Sequence, residues 1–271
     1  MPELPEVETI RRALQARLVG RRFVEVVQRR PDLRFPLPAR LPSRLRGRRI
    51  EAVRRRAKYL LAELDDGHVL IVHLGMSGRL VLGGAPAGLH EHLTFGFDDG
   101  AVLRFVDARR FGSVDLTAAA RLGAHPRLVD LGLEPLDPAF TGPALRAALG
   151  TTQTPLKVAL MDQGRVVGVG NIYACEALFR ARLSPRRAGG SLGTREATRL
   201  ARAIQAVLAV AIHAGGSSLR DYVQADGELG FFQDSFAVYG RAALACPRCG
   251  GAIERLVQAN RSTFFCPRCQ A

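Results

Sequence analysis

No run in this 271-residue chain is long and apolar enough to span a bilayer, and its opening residues lack the basic start and apolar core of a secretory signal. These two absences point to a cytoplasmic protein with no membrane partner. Acidic residues are scarce: 25 Asp and Glu stand against 39 Lys and Arg, a formal charge of +14 with a pI near 10.9. Such an excess suits polyanionic partners, although a basic enzyme without any polyanion could carry it too. Cysteine is rare as well, with five residues, and no internal repeat is visible. Four of the five fall in two Cys-Pro-Arg-Cys pairs near the C-terminus, which argues against a secreted disulfide framework and suits metal thiolates.

What is present is enough apolar content, 47%, to bury a core, and a length compatible with two domains or with one. Between residues 3 and 19, Val7, Ile10, Leu14 and Leu18 recur at helical spacing, with Arg11, Arg12 and Gln15 opposite and Gly20 following. That pattern predicts an amphipathic helix. From about 22 to 116 the chain turns to short β-rich runs, punctuated by Asp-Asp-Gly at 65–67 and 98–100, so antiparallel hairpins are expected. Segments 29–47 and 83–90, rich in Pro, Arg or Gly, read as loops. The two prolines of Leu133-Glu134-Pro135-Leu136-Asp137-Pro138 mark a linker at 133–140. Beyond it the periodicity is helical: Thr154 reads as a cap before Pro155, Asn171 begins another helix, and Leu200, Ile204, Val207, Leu208 and Ala211 form a stripe ending at Gly215-Gly216.

Cys246, Cys249, Cys266 and Cys269 are spaced Cys-x2-Cys-x16-Cys-x2-Cys, which matches a four-cysteine zinc site. Four protein thiolates leave no open position on a tetrahedral ion, so one zinc here would be structural. Its binding, on the order of 10 kcal/mol, would stand in for a core too small to fold alone. Reduced bystander cysteines or an iron site are the alternatives. Between the pairs, 253–258 and 262–265 read as two strands with Ala259-Asn260-Arg261 at the tip. Taken alone, the finger is a nucleic-acid or protein interaction module. Cys175 reads as a small buried apolar residue.

The opening Met1-Pro2-Glu3-Leu4-Pro5-Glu6-Val7-Glu8-Thr9 closely resembles that of the Fpg/Nei family, on its formamidopyrimidine-DNA glycosylase branch. The resemblance spans the chain: Arg55-Arg56-Ala57-Lys58-Tyr59-Leu60, His73-Leu74-Gly75-Met76-Ser77-Gly78, Asp107-Ala108-Arg109-Arg110-Phe111-Gly112, Gly168-Val169-Gly170-Asn171-Ile172-Tyr173, Gly215-Gly216-Ser217-Ser218-Leu219-Arg220-Asp221 and the cysteine finger all take part. It implies an α+β fold: an N-terminal helix plus β-sandwich in residues 1–132, a linker at 133–140, a helical domain with a helix-two-turn-helix at 141–240 and the zinc finger at 241–271. It also implies a monomer acting on double-stranded DNA that carries oxidised bases, with the DNA crossing the cleft between domains.

Residue by residue, the resemblance makes Pro2, freed by loss of Met1, the nucleophile at the sugar carbon of the damaged nucleotide. Glu3 becomes the acid/base carboxylate, and Lys58 and Arg261 contact the phosphates beside the lesion and donate protons during elimination. Without it, Pro2 is a processing feature, and Glu3, Glu6 and Glu8 are charges suited to a helix N-terminus, with Glu6 open between the two roles. Met76, Arg109 and Phe111 match the intercalating triad that fills the gap left by an extruded base. As isolated residues, Met76 and Phe111 would be core. His73, His90, Asn171 and Tyr239 match DNA contacts, with Asn171 opening the second helix of the helix-two-turn-helix. Lys157 sits in a helix first turn, where the macrodipole disfavours a cation, which hints at an anionic partner. Gln153 takes a phosphate-contacting position with a weaker grip than a basic residue would give. Ser217 to Gln224 resembles the loop that covers an extruded purine. The implied activity is bifunctional, base excision followed by strand nicking; the alternatives are the endonuclease VIII branch, acting on oxidised pyrimidines, and a damage-binding zinc protein without catalysis.

Overall fold

The computed structural model describes residues 2–83, 88–218, 225 and 229–271, and these form two compact units. The first comprises residues 1–129 and 214–231; the second comprises 130–213 and 232–271. Helix α1 (Leu4–Leu18) opens the first unit, and the predicted stripe of Val7, Ile10, Leu14 and Leu18 is its buried side. The expected strands follow: β1 (Phe23–Gln28), then, after a short helix α2 (Leu41–Leu45), β2 (Ile50–Arg56), β3 (Tyr59–Leu64), β4 (His68–His73), β5 (Arg79–Leu82), β6 (Glu91–Phe97), β7 (Val102–Val106) and β8 (Ser113–Ala118). Among the described residues they make two antiparallel sheets, in the orders β1-β6-β7-β5 and β2-β3-β4-β8. Both Asp-Asp-Gly sites are hairpin turns, with Gly67 at φ 77° and Gly100 at φ 83°, a backbone that only glycine adopts freely. Alternating side chains from both sheets meet the helix stripe in one core, where Phe23 packs edge-on to Phe95 and beside Phe97.

Segment 29–47 is less irregular than its Pro and Arg content suggests. Leu41 and Leu45 lie one helical turn apart, both fully buried, and their burial winds α2 with Pro42 in its first turn. Of segment 83–90, residues 84–87 lie outside the described residues, and Gly88–His90 is one 3-10 turn.

In the second unit α3 (Gly142–Leu149), α4 (Leu156–Leu160), α5 (Asn171–Ala181) and α6 (Thr194–His213) precede the hairpin β9 (Glu254–Gln258) and β10 (Arg261–Phe265). Helix α6 buries the predicted Leu200, Ile204, Val207, Leu208 and Ala211. Helix α4 starts at Leu156, later than a Thr154 cap would have it. Thr154 instead accepts from the Gly189 N–H (2.9 Å), and the Leu156 N–H donates to Arg187 O (2.6 Å). No helix among the described residues is long and apolar enough to cross a membrane.

Segment 214–231 belongs with the first unit, not with the helical stretch that precedes it. Long-range bonds hold it there: the Leu82 N–H donates to Ala225 O (2.8 Å) and the Ser217 N–H to Glu6 Oε1 (2.8 Å).

One buried ion cluster ties α1 to the sheet. Glu8 accepts from Arg11 and Arg12 on its own helix and from Arg55 Nε (3.1 Å) on β2, and Arg55 Nη1 donates onward to Ala57 O (2.8 Å) in the β2–β3 turn. Burial alone would raise the Glu8 carboxyl, but the bonds from Arg11 and Arg12 and the charges of Arg11 and Arg55 hold it below its ordinary value. A carboxyl lowered in the folded state contributes stability above the ordinary carboxylate range and loses it as pH falls through the lowered value. Glu8→Ala would leave Arg55, 7% exposed, without its carboxylate. Urea denaturation at pH 7 should show a loss of about 3 kcal/mol, shrinking as pH falls below the ordinary carboxylate range and the wild-type carboxyl itself takes up a proton. A loss that is small or independent of pH would contradict the cluster's role.

Candidate active site and metal centre

The start of α1 is an unusual place to find so much buried charge. Pro2 is buried, Glu3 is the cap residue of α1, and Glu6 is 2% exposed. Glu3 and Glu6 form a reciprocal capping box, the Glu3 N–H donating to Glu6 Oε2 (2.8 Å). The other Glu6 oxygen takes the Ser217 N–H. Glu6, open between catalysis and helix charge in the sequence, is therefore a clasp between two backbone segments. The Glu-x-x-Glu spacing carries half of that signal; the bond to a residue 211 positions away carries none.

Lys58 lies in the turn between β2 and β3, next to Ala57, whose φ of 53° is a left-handed value costly for a residue with a side chain. Its residue is 6% exposed. The preceding arginine run suggests a solvated strand edge instead, but Arg55 turns inward to Glu8 and takes the turn's Ala57 carbonyl with it. Across the next hairpin His73 pairs with Tyr59, their ring centroids 4.7 Å apart. His73 Nδ1 accepts from the Gly75 N–H (3.0 Å), so the neutral ring carries its proton on Nε2. Burial, then the positive charges of Lys58, Arg34 and Arg127, push its pKa down to about 4. His73 is thus a neutral hydrogen-bond donor at physiological pH, set among cations. Arg34 and Arg127 were not foreseen, because nothing in their spacing links them to residue 73.

Met76 and Phe111 are 39% and 41% exposed, which removes the core alternative for both. The Arg109 guanidinium lies 4.7 Å from the Phe111 ring centroid. Their loops touch: a Cβ on Gly75 would land on the Phe111 carbonyl. His90 borders the same region, its carbonyl accepting from the Asp107 N–H (2.9 Å).

In the second unit Asn171 is the first residue of α5 and not its cap, which is Gly170; its side-chain Nδ2 donates to Ser262 O (2.9 Å) on β10. Tyr239 stands edge-on between Phe236 and Phe264. Its N–H and those of Ala237 and Val238 all donate to the fully buried Glu176 carboxylate. Glu176 was not foreseen; a lone Glu on an apolar helix face gives no such sign. Ala259 (φ 47°) and Asn260 (φ 58°) make the two-residue β9–β10 turn, so Arg261 stands one step behind the tip, paired with Gln258. Arg261, Gln258, Thr154, Arg165 and the fully buried Lys157 line one open cavity of about 430 Å³. Gln153 is exposed, bonded to Thr151 O (3.2 Å), and takes no part in that lining. Of segment 217–224, expected from the sequence to cover an extruded purine, Leu219 to Gln224 lie outside the described residues.

The ligand atoms of Cys246, Cys249, Cys266 and Cys269 all lie within 4.8 Å of one another, with Cys246–Cys269 at 3.9 Å and Cys249–Cys266 at 3.5 Å between sulfurs. A tetrahedral zinc with bonds of about 2.3 Å needs sulfurs about 3.8 Å apart, so the donor set fits one structural ion. The Arg248 N–H approaches the Cys246 sulfur (3.4 Å), the contact expected around a thiolate. Cys175 is the buried apolar residue anticipated, packed with Phe179, Val238 and Ile253 behind Cys246 and Cys266.

Three family models match the chain: the formamidopyrimidine-DNA glycosylase N-terminal domain over residues 1–114, the formamidopyrimidine-DNA glycosylase H2TH domain over 131–223, and a zinc finger found in FPG and IleRS over 244–271. A formamidopyrimidine-DNA glycosylase from Cereibacter sphaeroides is 52% identical over the full length of both chains. The crystal structure of the MutM (Fpg) protein of Thermus thermophilus is 46% identical, covers 99% of this chain and 98% of its own, and superimposes with a TM-score of 0.89. That of Lactococcus lactis Fpg, solved in complex with DNA containing an abasic site, is 34% identical over 99% of each chain with a TM-score of 0.90.

The low pKa of His73 is directly measurable. In a proton NMR titration its ring resonances should move near pH 4 and stay still from pH 5.5 to 8, whereas titration near the ordinary 6.5 would contradict its burial among cations. Because the unfolded chain binds this proton more readily, stability should decline as pH falls from 6.5 toward 4, and His73→Gln should remove that part of the decline.

Proposed function

Because the chain belongs to the formamidopyrimidine-DNA glycosylase family, we propose that it excises oxidised purines, 8-oxoguanine and formamidopyrimidines, from duplex DNA and then nicks the strand, with the amine of Pro2 as nucleophile. The observation that carries this reading is the start of α1, where Pro2 and Glu3 are buried and held in place by the Glu6 clasp.

Once Met1 is removed, the Pro2 nitrogen is a secondary amine. An α-amino group has a pKa near ~8 against ~10.4 for lysine, so near neutrality far more of it is unprotonated and nucleophilic. Its lone pair attacks the sugar C1′, the bond to the base breaks, and the base leaves with the bonding electrons and takes up a proton. Glu3, beside the amine, takes the proton that the alkylated nitrogen gives up and passes it to the ring oxygen as the sugar opens, and the C1′–N linkage becomes an iminium. That cation acidifies the proton on C2′; its removal expels the 3′ phosphate, and a second elimination expels the 5′ phosphate. Lys58 and Arg261 hold the phosphates on either side and supply protons to the departing groups. Zinc held by Cys246, Cys249, Cys266 and Cys269 would brace the hairpin that bears Arg261, and four thiolates would leave it no position for a reacting atom.

Before this, the base must leave the stack, at a cost of a few kcal/mol. Met76 and Phe111 are exposed apolar residues suited to fill the gap, and Arg109 can hydrogen-bond the orphaned partner. His73, His90, Gln153, Lys157, Asn171 and Tyr239 serve as DNA contacts, and the formal charge of +14 favours the polyanion as a whole.

Borohydride added during turnover should trap a covalent complex on 8-oxoguanine duplex. An extended N-terminus, which turns the Pro2 nitrogen into an amide, should lower excision on the order of a hundredfold or more, as removal of a nucleophile does; Pro2→Gly, which keeps a terminal amine but a primary one, should slow excision less. Undiminished excision in the extended protein would overturn the assignment. Faster excision of thymine glycol than of 8-oxoguanine opposite cytosine would move the chain to the pyrimidine branch.

A further inference from the structure

We propose that Ser77 and Asp107 are positioning residues for base extrusion, forming a buried staple that locks the Met76 loop to the Arg109–Phe111 loop so that the two act as one wedge. The inference rests on the functional reading above, since it presumes that these loops enter DNA.

The exposed residues of the wedge sit on two turns distant in sequence. Met76 belongs to a turn closed by the Gly78 N–H on Leu74 O (2.9 Å), and Arg109 and Phe111 to one closed by the Arg110 N–H on Asp107 O (3.3 Å). Each turn uses a left-handed residue, Gly75 at φ 64° and Arg110 at φ 58°. A pair of short surface turns is ordinarily the part of a fold most ready to yield.

Asp107 prevents this. It is fully buried, and its carboxylate reaches both turns. Oδ1 accepts from the Ser77 hydroxyl (2.6 Å) and from the Arg109 N–H (3.3 Å); Oδ2 accepts from the Gly112 N–H (2.7 Å). Ser77 Oγ in turn accepts from the Arg109 N–H (3.1 Å). One carboxylate therefore holds residues 109 and 112, which bracket the second tip, and residue 77, which follows the first. The Asp107 backbone is fixed as well: its N–H donates to His90 O (2.9 Å) and its carbonyl accepts from His92 Nε2 (2.8 Å). Gly75 lies so close to the Phe111 carbonyl, and Gly112 to the Phe105 ring, that neither has room for a side chain.

The physical consequence follows from burial. Hydrogen bonds to an ionised oxygen are strong, and away from water nothing competes for them. A wedge driven against base stacking is useful only if its footing does not give way. Unstapled, Met76 and Phe111 would still be exposed and apolar, yet each would follow the duplex instead of displacing a base.

The test compares a substrate that needs extrusion with one that does not. One arm is 8-oxoguanine in full duplex with 2-aminopurine as the neighbouring base, read for stopped-flow fluorescence and single-turnover excision. The other is an abasic site in a one-nucleotide bulge, read for nicking. Ser77→Ala removes the donor to Asp107 and the acceptor for Arg109; it should slow the fluorescence change and duplex excision about tenfold while bulge nicking stays within about twofold and the melting temperature holds within a few degrees. Asp107→Asn, which can still accept from the Gly112 N–H, should show the same selectivity to a smaller degree, and it carries the comparison if Ser77→Ala does not fold. Wild-type rates on the duplex, or equal slowing on both substrates, would overturn the staple. A wild-type chain that nicks the bulge but gives no fluorescence change on the duplex would overturn extrusion and the staple together while leaving the lyase reading intact; one inactive on both arms would overturn the functional reading itself.

Discussion

Three carboxylates within six residues, Glu3, Glu6 and Glu8, are buried at the start of one helix, and the first unit is organised around satisfying them. A buried carboxylate without partners would be protonated or would unfold its surroundings. Here each is given something to hold: Glu3 takes the Glu6 N–H, Glu6 takes the Glu3 N–H and that of Ser217, 211 positions away, and Glu8 takes arginines from its own helix and from β2. The result is a helix start that can neither fray nor swing. Fraying is the usual behaviour of a chain terminus, and it is what an N-terminal nucleophile could not tolerate. The same cluster continues through Arg55 to the turn that carries Lys58, so two proposed catalytic groups share one foundation.

Buried acids recur as the means by which loops are held. Glu176 gathers three successive backbone N–H groups and so fixes the loop that bears Tyr239, while Asp107 spans the two turns that bear Met76 and Phe111. Met76 and Phe111, offered to solvent, thus rest on an anion sealed away from it, while Tyr239 is itself partly buried between two rings. A chain this basic uses a good part of its few carboxylates as internal fasteners, which leaves its outer surface still more positive. The zinc hairpin reaches the same end by another route, with four thiolates doing for Arg261 what the carboxylates do elsewhere.

Local patterns were legible in the sequence and long-range ones were not. The α1 stripe, both Asp-Asp-Gly turns, the α6 stripe and the cysteine spacing each express one physical period or one turn requirement within a few residues, and each is realised in the structure. Gly215-Gly216 mark where the long helix stops, but nothing in the sequence says that segment 214–231 then bonds to Glu6 and Leu82 and joins the other unit. Helix α2 was hidden among prolines and arginines because only two leucines define it. Arg34 and Arg127 reach His73 through folding alone, and Glu176 reads as an ordinary helical acid until the loop at 237–239 closes on it. Pro2 is the extreme case: residue type and position say almost nothing, and only the resemblance to a family raised it.

The chain offers very few amines that could form an iminium. Besides its N-terminus it has two lysines, Lys58 and Lys157, because nearly all of its positive charge is arginine. Mass mapping of the borohydride-trapped complex after proteolysis can therefore assign the nucleophile among three candidates. The account predicts a single adduct, on the peptide that begins at Pro2, with both lysine peptides unmodified. An adduct on Lys58 or Lys157, or a trapped chain that still begins with Met1, would contradict it.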